Sequence, residues 1–370
     1  MRRFTFVVAC VIVVAAIAPC LAAGYRTSIG SGADQIPVVV VSGTPYEMGY
    51  SYGRLMRSEI KPCLEKYLAR AQADDPARFK TLDAAWATVE PYVKSRFIEE
   101  MRGVADGAGV SYELLRRTHS VPLIGDFSCS GVAVWGPASA NGHLYQIRNL
   151  DYSTDASLQD YPAVVVYYPN EGIPHADVGF AGFVGCIAGL NARGIALTEK
   201  GASPESDYPF NLNGIHFLAL FRDILQDAST LDEALNIVRS APRIKKYYYV
   251  IGDGRRGGVK IRAFAPNLDI WGGSDPTDEV APNLLPNVVY VTMHNDLAFK
   301  HLQDNYGKYN ADLMIELSRL VSGGDGNLMD VVFDATARQM WIAYAHGMTP
   351  AAKCAYVPFK LSDYKRPPRG

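Results

Sequence analysis

A cysteine opens the apolar run Cys129-Ser130-Gly131-Val132-Ala133-Val134-Trp135, a turn follows from Pro137 to Gly142, and a second run extends from His143 to Ile147. Two β-prone runs around a glycine-bearing reversal predict an antiparallel hairpin. The second run ends in Arg148-Asn149-Leu150-Asp151, so the hairpin returns a guanidinium and a carboxylate to the start of the first strand, close to Cys129. A neighbouring cation lowers a thiol's pKa and makes the sulfur a better nucleophile. No histidine stands beside Cys129 to act as its base.

Residues 1–23 read as an export signal. Arg2 and Arg3 are positive, Phe6 to Ala18 is apolar, and Pro19-Cys20-Leu21-Ala22-Ala23 supplies small residues for cleavage. The apolar stretch is short for a bilayer, so no stable membrane span is expected and the chain is placed outside the cell, in a periplasm or in a lumen. Residues 24–370 are then read as one large domain. The net charge of −2, with acids and bases interspersed, argues against a nucleic-acid partner. Cys10 and Cys20 fall in the signal. Cys63, Cys129, Cys186 and Cys354 remain, at spacings that match no zinc pattern. With Cys129 free, the other three can form one bridge and leave one cysteine over. Cys186, inside the run Gly182 to Gly189, reads as buried and structural. The histidines are scattered without metal-site spacing, and no metal or other cofactor is expected.

Val38 to Val41 is a candidate buried strand, and Thr44-Pro45-Tyr46-Glu47 is a capping box that starts a helix. Apolar residues at helical spacing carry that helix to about Ala71, with an interruption expected at Pro62. Helical patterns continue over 81–106 and 112–118. From Cys129 onward strands dominate, at 130–136, 143–149, 162–168, 178–189 and 194–199. Helices are expected at 214–227 and 230–239, and strands at 247–251 and 259–264. The segment 266–287 reads as a long surface loop. A strand at 288–292, helices at 296–304 and 309–321, and a hairpin of 331–333 with 340–344 close the pattern. Strands in runs with segregated helices predict an α+β fold with antiparallel sheets.

Two motifs mislead. Gly49-Tyr50-Ser51-Tyr52-Gly53 has the spacing of a serine-hydrolase elbow, but the capping box puts Ser51 inside a helix rather than on a strand-to-helix turn. A serine hydrolase using Ser51 is therefore a minor alternative. Gly252-Asp253-Gly254-Arg255-Arg256-Gly257 has a dinucleotide-loop spacing, but the alternating strand Val259 to Phe264 follows it where a helix is required.

A cysteine without histidine can act if it becomes the first residue of a mature chain. Its own α-amine, pKa about 7.7–8.0, then takes the thiol proton. This requires cutting the Ser128–Cys129 bond, which the same thiol can do by attacking the Ser128 carbonyl. Asp151 would balance the new ammonium, and Arg148 would stabilise the thiolate.

Four ordered motifs sharpen this reading. They are the segment Gly43 to Gly53, the Cys129 strand, Gly142-His143-Leu144-Tyr145-Gln146-Ile147-Arg148-Asn149-Leu150-Asp151-Tyr152, and Gly189-Leu190-Asn191-Ala192-Arg193-Gly194-Ile195. Over about residues 38–345 the chain resembles the acyl-coenzyme A:6-aminopenicillanic acid acyltransferase-like family (peptidase family C45), within the N-terminal nucleophile (Ntn) hydrolases. The resemblance implies a four-layer αββα sandwich of two antiparallel sheets. It implies self-cleavage into 24–128 and 129–370, the two chains staying associated, and a small acyl-amide as substrate. Cys129 would be the nucleophile, Arg148 a thiolate or substrate contact, and Asp151 the partner of the α-amine. The resemblance also implies a departure at Thr292-Met293-His294-Asn295, where relatives often carry Thr-Asn-His. A methionine holds the position of the asparagine that serves the oxyanion hole, so either Asn295 substitutes after a local shift or the donor comes from backbone groups. Asn191, Glu199 and His294 are the expected pocket residues, with Glu199 and Lys200 bringing charge to its mouth. The methionine also motivates a second reading, a catalytically inactive binding protein on the same fold.

Overall fold

The computed structural model describes residues 23–125, 128–281 and 283–368. The export-signal stretch lies outside the described residues except for Ala23, which begins the first strand. One sheet has nine strands in the order β1 (Ala23–Ile29), β2 (Ile36–Gly43), β5 (Pro162–Pro169), β6 (His175–Phe180), β7 (Ala188–Asn191), β8 (Ile195–Gly201), β9 (Tyr247–Asp253), β10 (Gly257–Ala263) and β11 (Leu268–Trp271). The other has six, in the order β12 (Val288–Val291), β3 (Ser128–Gly136), β4 (Gly142–Asp151), β13 (Asn327–Asp334), β14 (Gln339–Tyr344) and β15 (Val357–Lys360).

The sheets face one another, β3 and β4 against β8 and β9. Helices α1 (Pro45–Leu55), α2 (Arg57–Asp74), α3 (Pro76–Phe79), α4 (Leu82–Val89), α5 (Ser95–Ala108) and α6 (Tyr112–Ile124) come from the first third of the chain, followed by α7 (Phe217–Asp227) and α8 (Leu231–Ser240). Of these, α1, α7 and α8 lie directly on the nine-stranded sheet. Helices α9 (Asn295–Asp304) and α10 (Ala311–Leu320) cover the six-stranded one. The result is the four-layer αββα arrangement, with one difference from an all-antiparallel expectation: β2 and β5 pair in parallel. Val38 to Val41 are all fully buried, as the continuous valine run of a strand covered on both faces requires.

The capping box forms as expected, Thr44 Oγ1 accepting from the Glu47 N–H while Glu47 Oε2 accepts from the Thr44 N–H. Ser51 lies inside α1 with no exposure, where Gly49 and Gly53 allow the helix backbone onto Gly103 and Gly107 of α5. No nucleophile elbow exists there. The helix breaks at Met56 rather than at Pro62, which α2 accommodates inside its second turn. The apolar segment 178–189 is two strands, because Gly182 and Gly185 adopt positive φ between them. The loop 266–287 contains β11, which pairs with β10. The Gly252–Gly257 segment is the β9–β10 hairpin turn. All four cysteines among the described residues are free, so the possible bridge is not made; Cys186 is buried as expected.

Candidate active site

The β3–β4 hairpin fixes two faces by its register. Cys129 lies opposite Leu150 and Gly131 opposite Arg148, while Ser128 lies opposite Asp151 and Ser130 opposite Asn149. Side chains alternate along a strand, so Cys129, Gly131 and Arg148 face the second sheet, and Ser128, Ser130, Asn149 and Asp151 face the α10 side. The polar contacts agree. Arg148 Nη2 reaches Glu199 Oε2 of β8 at 3.2 Å, whereas Ser130 Oγ donates to the Val321 carbonyl and Asn149 Nδ2 to the Ser318 carbonyl. Gly131 is needed at the sheet contact: a Cβ there would come within 2.8 Å of the Thr198 methyl.

Cys129, Arg148 and Glu199 are fully buried together. The thiol Sγ lies 4.0 Å from Glu199 Oε2. Arg148 also donates to the Asn149 carbonyl at 2.6 Å and to the Ile187 carbonyl at 3.4 Å. Burial pushes the Cys129 thiol up to about 12, against the opposing pull of Arg148. In the uncut chain the sulfur is therefore protonated at neutral pH. Burial works against the Arg148 charge too, but Cys129 and Glu199 beside it keep the guanidinium protonated. Burial likewise raises the Asp151 carboxyl, opposed by the Gly323 N–H and by Asn327. Beside Arg148 lies a cavity of about 30 Å³, lined by Leu150, Tyr152, Phe180, Phe183, Ile187 and Leu218 among others. It has room for about two waters, and its walls are apolar apart from the guanidinium.

The fold thus brings together Ser128, Cys129, Arg148, Asp151 and Glu199. Glu199 is not at a pocket mouth, because β8 faces the hairpin and buries it. Asn191 has different work: its amide donates to the Leu225 and Ala228 carbonyls and accepts from the Arg193 and Ile195 N–H groups. With both donors and its acceptor engaged by backbone, it holds the β7–β8 turn to the end of α7 instead of lining a pocket. Asn295 accepts from the Thr292 N–H at 2.8 Å and donates to the Val280 carbonyl at 3.2 Å, bonds that tie it to its own turn and to the segment before β12 and do not bring it to the thiol. His294 is exposed and stands at the N-cap position of α9 without a capping side-chain bond. Met293 is 45% exposed, and its N–H reaches Ser130 Oγ at 3.4 Å, so this turn stands over the hairpin. Sequence reasoning missed Asn327, whose amide donates to Asp151. Its signal was a polar residue opening the apolar strand Asn327-Leu328-Met329. Among the described residues no group of three His, Cys, Asp or Glu side chains is placed to hold a metal, and no helix is long and apolar enough to cross a membrane.

Comparison with known proteins shows what the chain is similar to. The family model described as acyl-coenzyme A:6-aminopenicillanic acid acyl-transferase matches residues 138–309. Protein dcd1B of Dictyostelium discoideum is 26% identical over 358 residues, covering 87% of this chain and 70% of the relative. The N-acylethanolamine-hydrolyzing acid amidase of Mus musculus is 26% identical over 193 residues, covering 50% of this chain and 51% of the relative. Among solved structures, the Caenorhabditis elegans ortholog of that amidase aligns with a TM-score of 0.47 at 13% identity, covering 62% of this chain and 99% of its own.

Proposed function

We propose that this relative of the acyl-coenzyme A:6-aminopenicillanic acid acyl-transferases is an exported amidohydrolase or acyltransferase that cuts itself before Cys129 and then uses Cys129 on linear amides. One observation carries the reading. Register pairs Ser128 with Asp151, while the adjoining Cys129 thiol sits 4.0 Å from a carboxylate that is itself paired with Arg148.

In the uncut chain no α-amine exists, so Glu199 accepts the thiol proton. The sulfur attacks the Ser128 carbonyl carbon, the bond to the Cys129 nitrogen breaks, and that nitrogen takes the proton as it leaves. Water hydrolyses the resulting thioester and frees the Ser128 carboxylate. The new ammonium of Cys129 adjoins the strand position that pairs with Asp151, and this reading makes that carboxylate its partner. In the mature enzyme the α-amine becomes the base for the thiol. The thiolate attacks the substrate carbonyl, the amine departs with a proton, and the acyl group passes from sulfur to water or to an acceptor amine. Because the Asn295 amide is committed to Thr292 and Val280, the reading assigns the oxyanion to backbone N–H groups around Cys129. The apolar cavity beside Arg148 favours an apolar acyl group, and its small volume requires the site to open after the cut. Fragments 24–128 and 129–370 stay together, since β1 and β2 of the first share a sheet with β5 of the second. The same reading takes residues 1–23 as an export signal.

Mass spectrometry of the purified protein's N-termini tests this. The expected result is a chain starting at Cys129, and an uncut chain for Cys129→Ala. A fully active protein with Ser128–Cys129 intact would refute it. The competing reading is a binding protein without chemistry, favoured by the exposed Met293 at the position where the family resemblance implies an asparagine. It predicts an uncut chain whose Cys129 resists a thiol-reactive acyl probe.

A further inference from the structure

A line of buried polar groups runs behind Asp151 on the α10 side. Asn327 Oδ1 accepts from the Ala352 N–H at 2.7 Å, which fixes the orientation of its amide. Its nitrogen therefore donates in two directions, to Asp151 Oδ1 at 2.9 Å and to Asp330 Oδ1 at 2.7 Å. The other Asp330 oxygen lies 2.7 Å from the Tyr356 hydroxyl, which is 3.0 Å from Ser318 Oγ. Ser318 in turn donates to Asn149 Oδ1 at 2.7 Å. Asn327 and Asp330 have no solvent exposure. Asp151 Oδ2 has no hydrogen-bond partner among the described residues.

The proton count along this line has two solutions. Ser318 spends its proton on Asn149, since the Asn149 amide nitrogen already faces the Ser318 carbonyl. Tyr356 has one proton to give. It goes to Asp330 when that carboxyl is ionised, or to Ser318 when Asp330 carries a proton of its own. Burial pushes the Asp330 carboxyl up to about 7, against Asn327 and Tyr356, so the two arrangements exchange near neutrality. The groups that face this pair are Arg148 and Asp151 on β4, Asn327 beside it on β13, Tyr356, and Lys200 on β8 toward Asp151. Arg319 of α10 lies over the Tyr356 ring at 5.3 Å.

We propose that Asn327 and Asp330 are positioning residues for Asp151: the bridging amide holds one Asp151 oxygen, leaves the other for the Cys129 amine, and couples Asp151 to the charge of Asp330. The inference rests on the reading of Asp151 as partner of that amine. Two carboxyls joined through one amide titrate as a coupled pair. The coupling makes the line more than scaffolding.

Two measurements on the full chain separate this inference from the reading beneath it. Carboxyl carbon shifts of aspartate-labelled Cys129→Ala protein, followed across pH and assigned with Asp151→Asn, report Asp151 whether or not the chain ever cuts itself. Asn327→Leu should raise the Asp151 midpoint, because the carboxylate loses a donor. Asp330→Asn should lower it and remove the inflection near neutral pH, because a neighbouring anion is gone. In the mature Cys129 protein, Asp330→Ala should slow acylation of Cys129 by a thiol-reactive acyl probe by about 10-fold, the usual cost of losing one supporting hydrogen bond. Asp330→Asn, which keeps the contacts, should restore most of the rate while changing its pH profile. An Asp151 midpoint unmoved by both Asn327→Leu and Asp330→Asn would overturn the proposal, as would a pH profile of acylation unchanged in Asp330→Asn. A moved midpoint in a chain whose parent never cuts would leave this inference standing and remove the self-cutting reading instead.

Discussion

Arg148 and Arg222 occupy two buried clusters made of the same parts: one arginine, two carboxyls and a cysteine. Arg222 pairs with Glu100 and Asp177, each at 2.6 Å, and lies over the Tyr167 ring at 3.6 Å. Its charge is consumed. Arg148 has a single ion-pair partner at 3.2 Å and spends its other donors on two backbone carbonyls. The cysteines register the difference. After burial, the strongest influence on Cys129 is the downward pull of Arg148, whereas on Cys186 it is the upward push of Asp177. Residue types alone do not separate a reactive site from a buried strut. What separates them is whether the cation is neutralised by acids or keeps a field for the thiol, and whether a cleavable peptide bond lies within reach of the sulfur.

The same substitution made in both clusters tests this contrast. Cys129→Ala should abolish cutting and turnover, read as a single full-length band and no product. Cys186→Ala should be cut normally and lose about 1 kcal/mol of stability, seen as a small fall in Tm. Normal cutting in Cys129→Ala would erase the distinction between the clusters. The arginines come next. Arg222→Met strands Glu100 and Asp177 in the core and should cost about 3–5 kcal/mol, a large part of the total stability of a typical domain. Arg148→Met takes the cation from one ion pair only. It should lower Tm less than Arg222→Met while removing cutting, measured by thermal melting beside a denaturing gel.

The hairpin was legible in the sequence because its signals are local. An alternating apolar run, a glycine turn and a terminal Arg148-Asn149-Leu150-Asp151 suffice to set Cys129 and Arg148 on one face. Glu199 was legible as a residue but not as a buried one, since its burial depends on how closely β8 approaches Gly131, a contact between sheets. Asn191 and Asn295 look like site residues in sequence because asparagine amides serve turns and active sites alike. Only their backbone partners, the Leu225 and Ala228 carbonyls in one case and Val280 in the other, show where those amides are committed. Asn327 and Asp330 join the site through β13–β4 pairing, nearly two hundred residues from Cys129, and no local pattern carries that register. The parallel β2–β5 pair escaped for the same reason.

The smallest expected effect bears on the neutralised cluster and runs through pH. Burial lifts the Asp177 carboxyl to about 7 despite Arg222, and Glu100 is also raised. A raised carboxyl means that the folded chain binds this proton more tightly than the unfolded chain, where aspartate sits near 3.9. Its stabilising contribution is therefore complete below about 3.9 and is lost as pH rises through about 7. Three buried histidines oppose it. His119 is held down to about 4 and His216 to about 3 by burial, and His175 is lowered as well, so their contribution is lost as pH falls below the ordinary histidine value of about 6.5. The two trends overlap, and a melting curve of the parent alone mixes them. Asp177→Asn isolates the carboxyl, because the histidines remain in both proteins. The difference in Tm, parent minus Asp177→Asn, should grow by a few degrees as pH falls from about 7 toward about 4. A difference that stays flat across that window would mean that Asp177 remains ionised beside Arg222. The two clusters would then differ in geometry but not in how fully their acids answer the arginine.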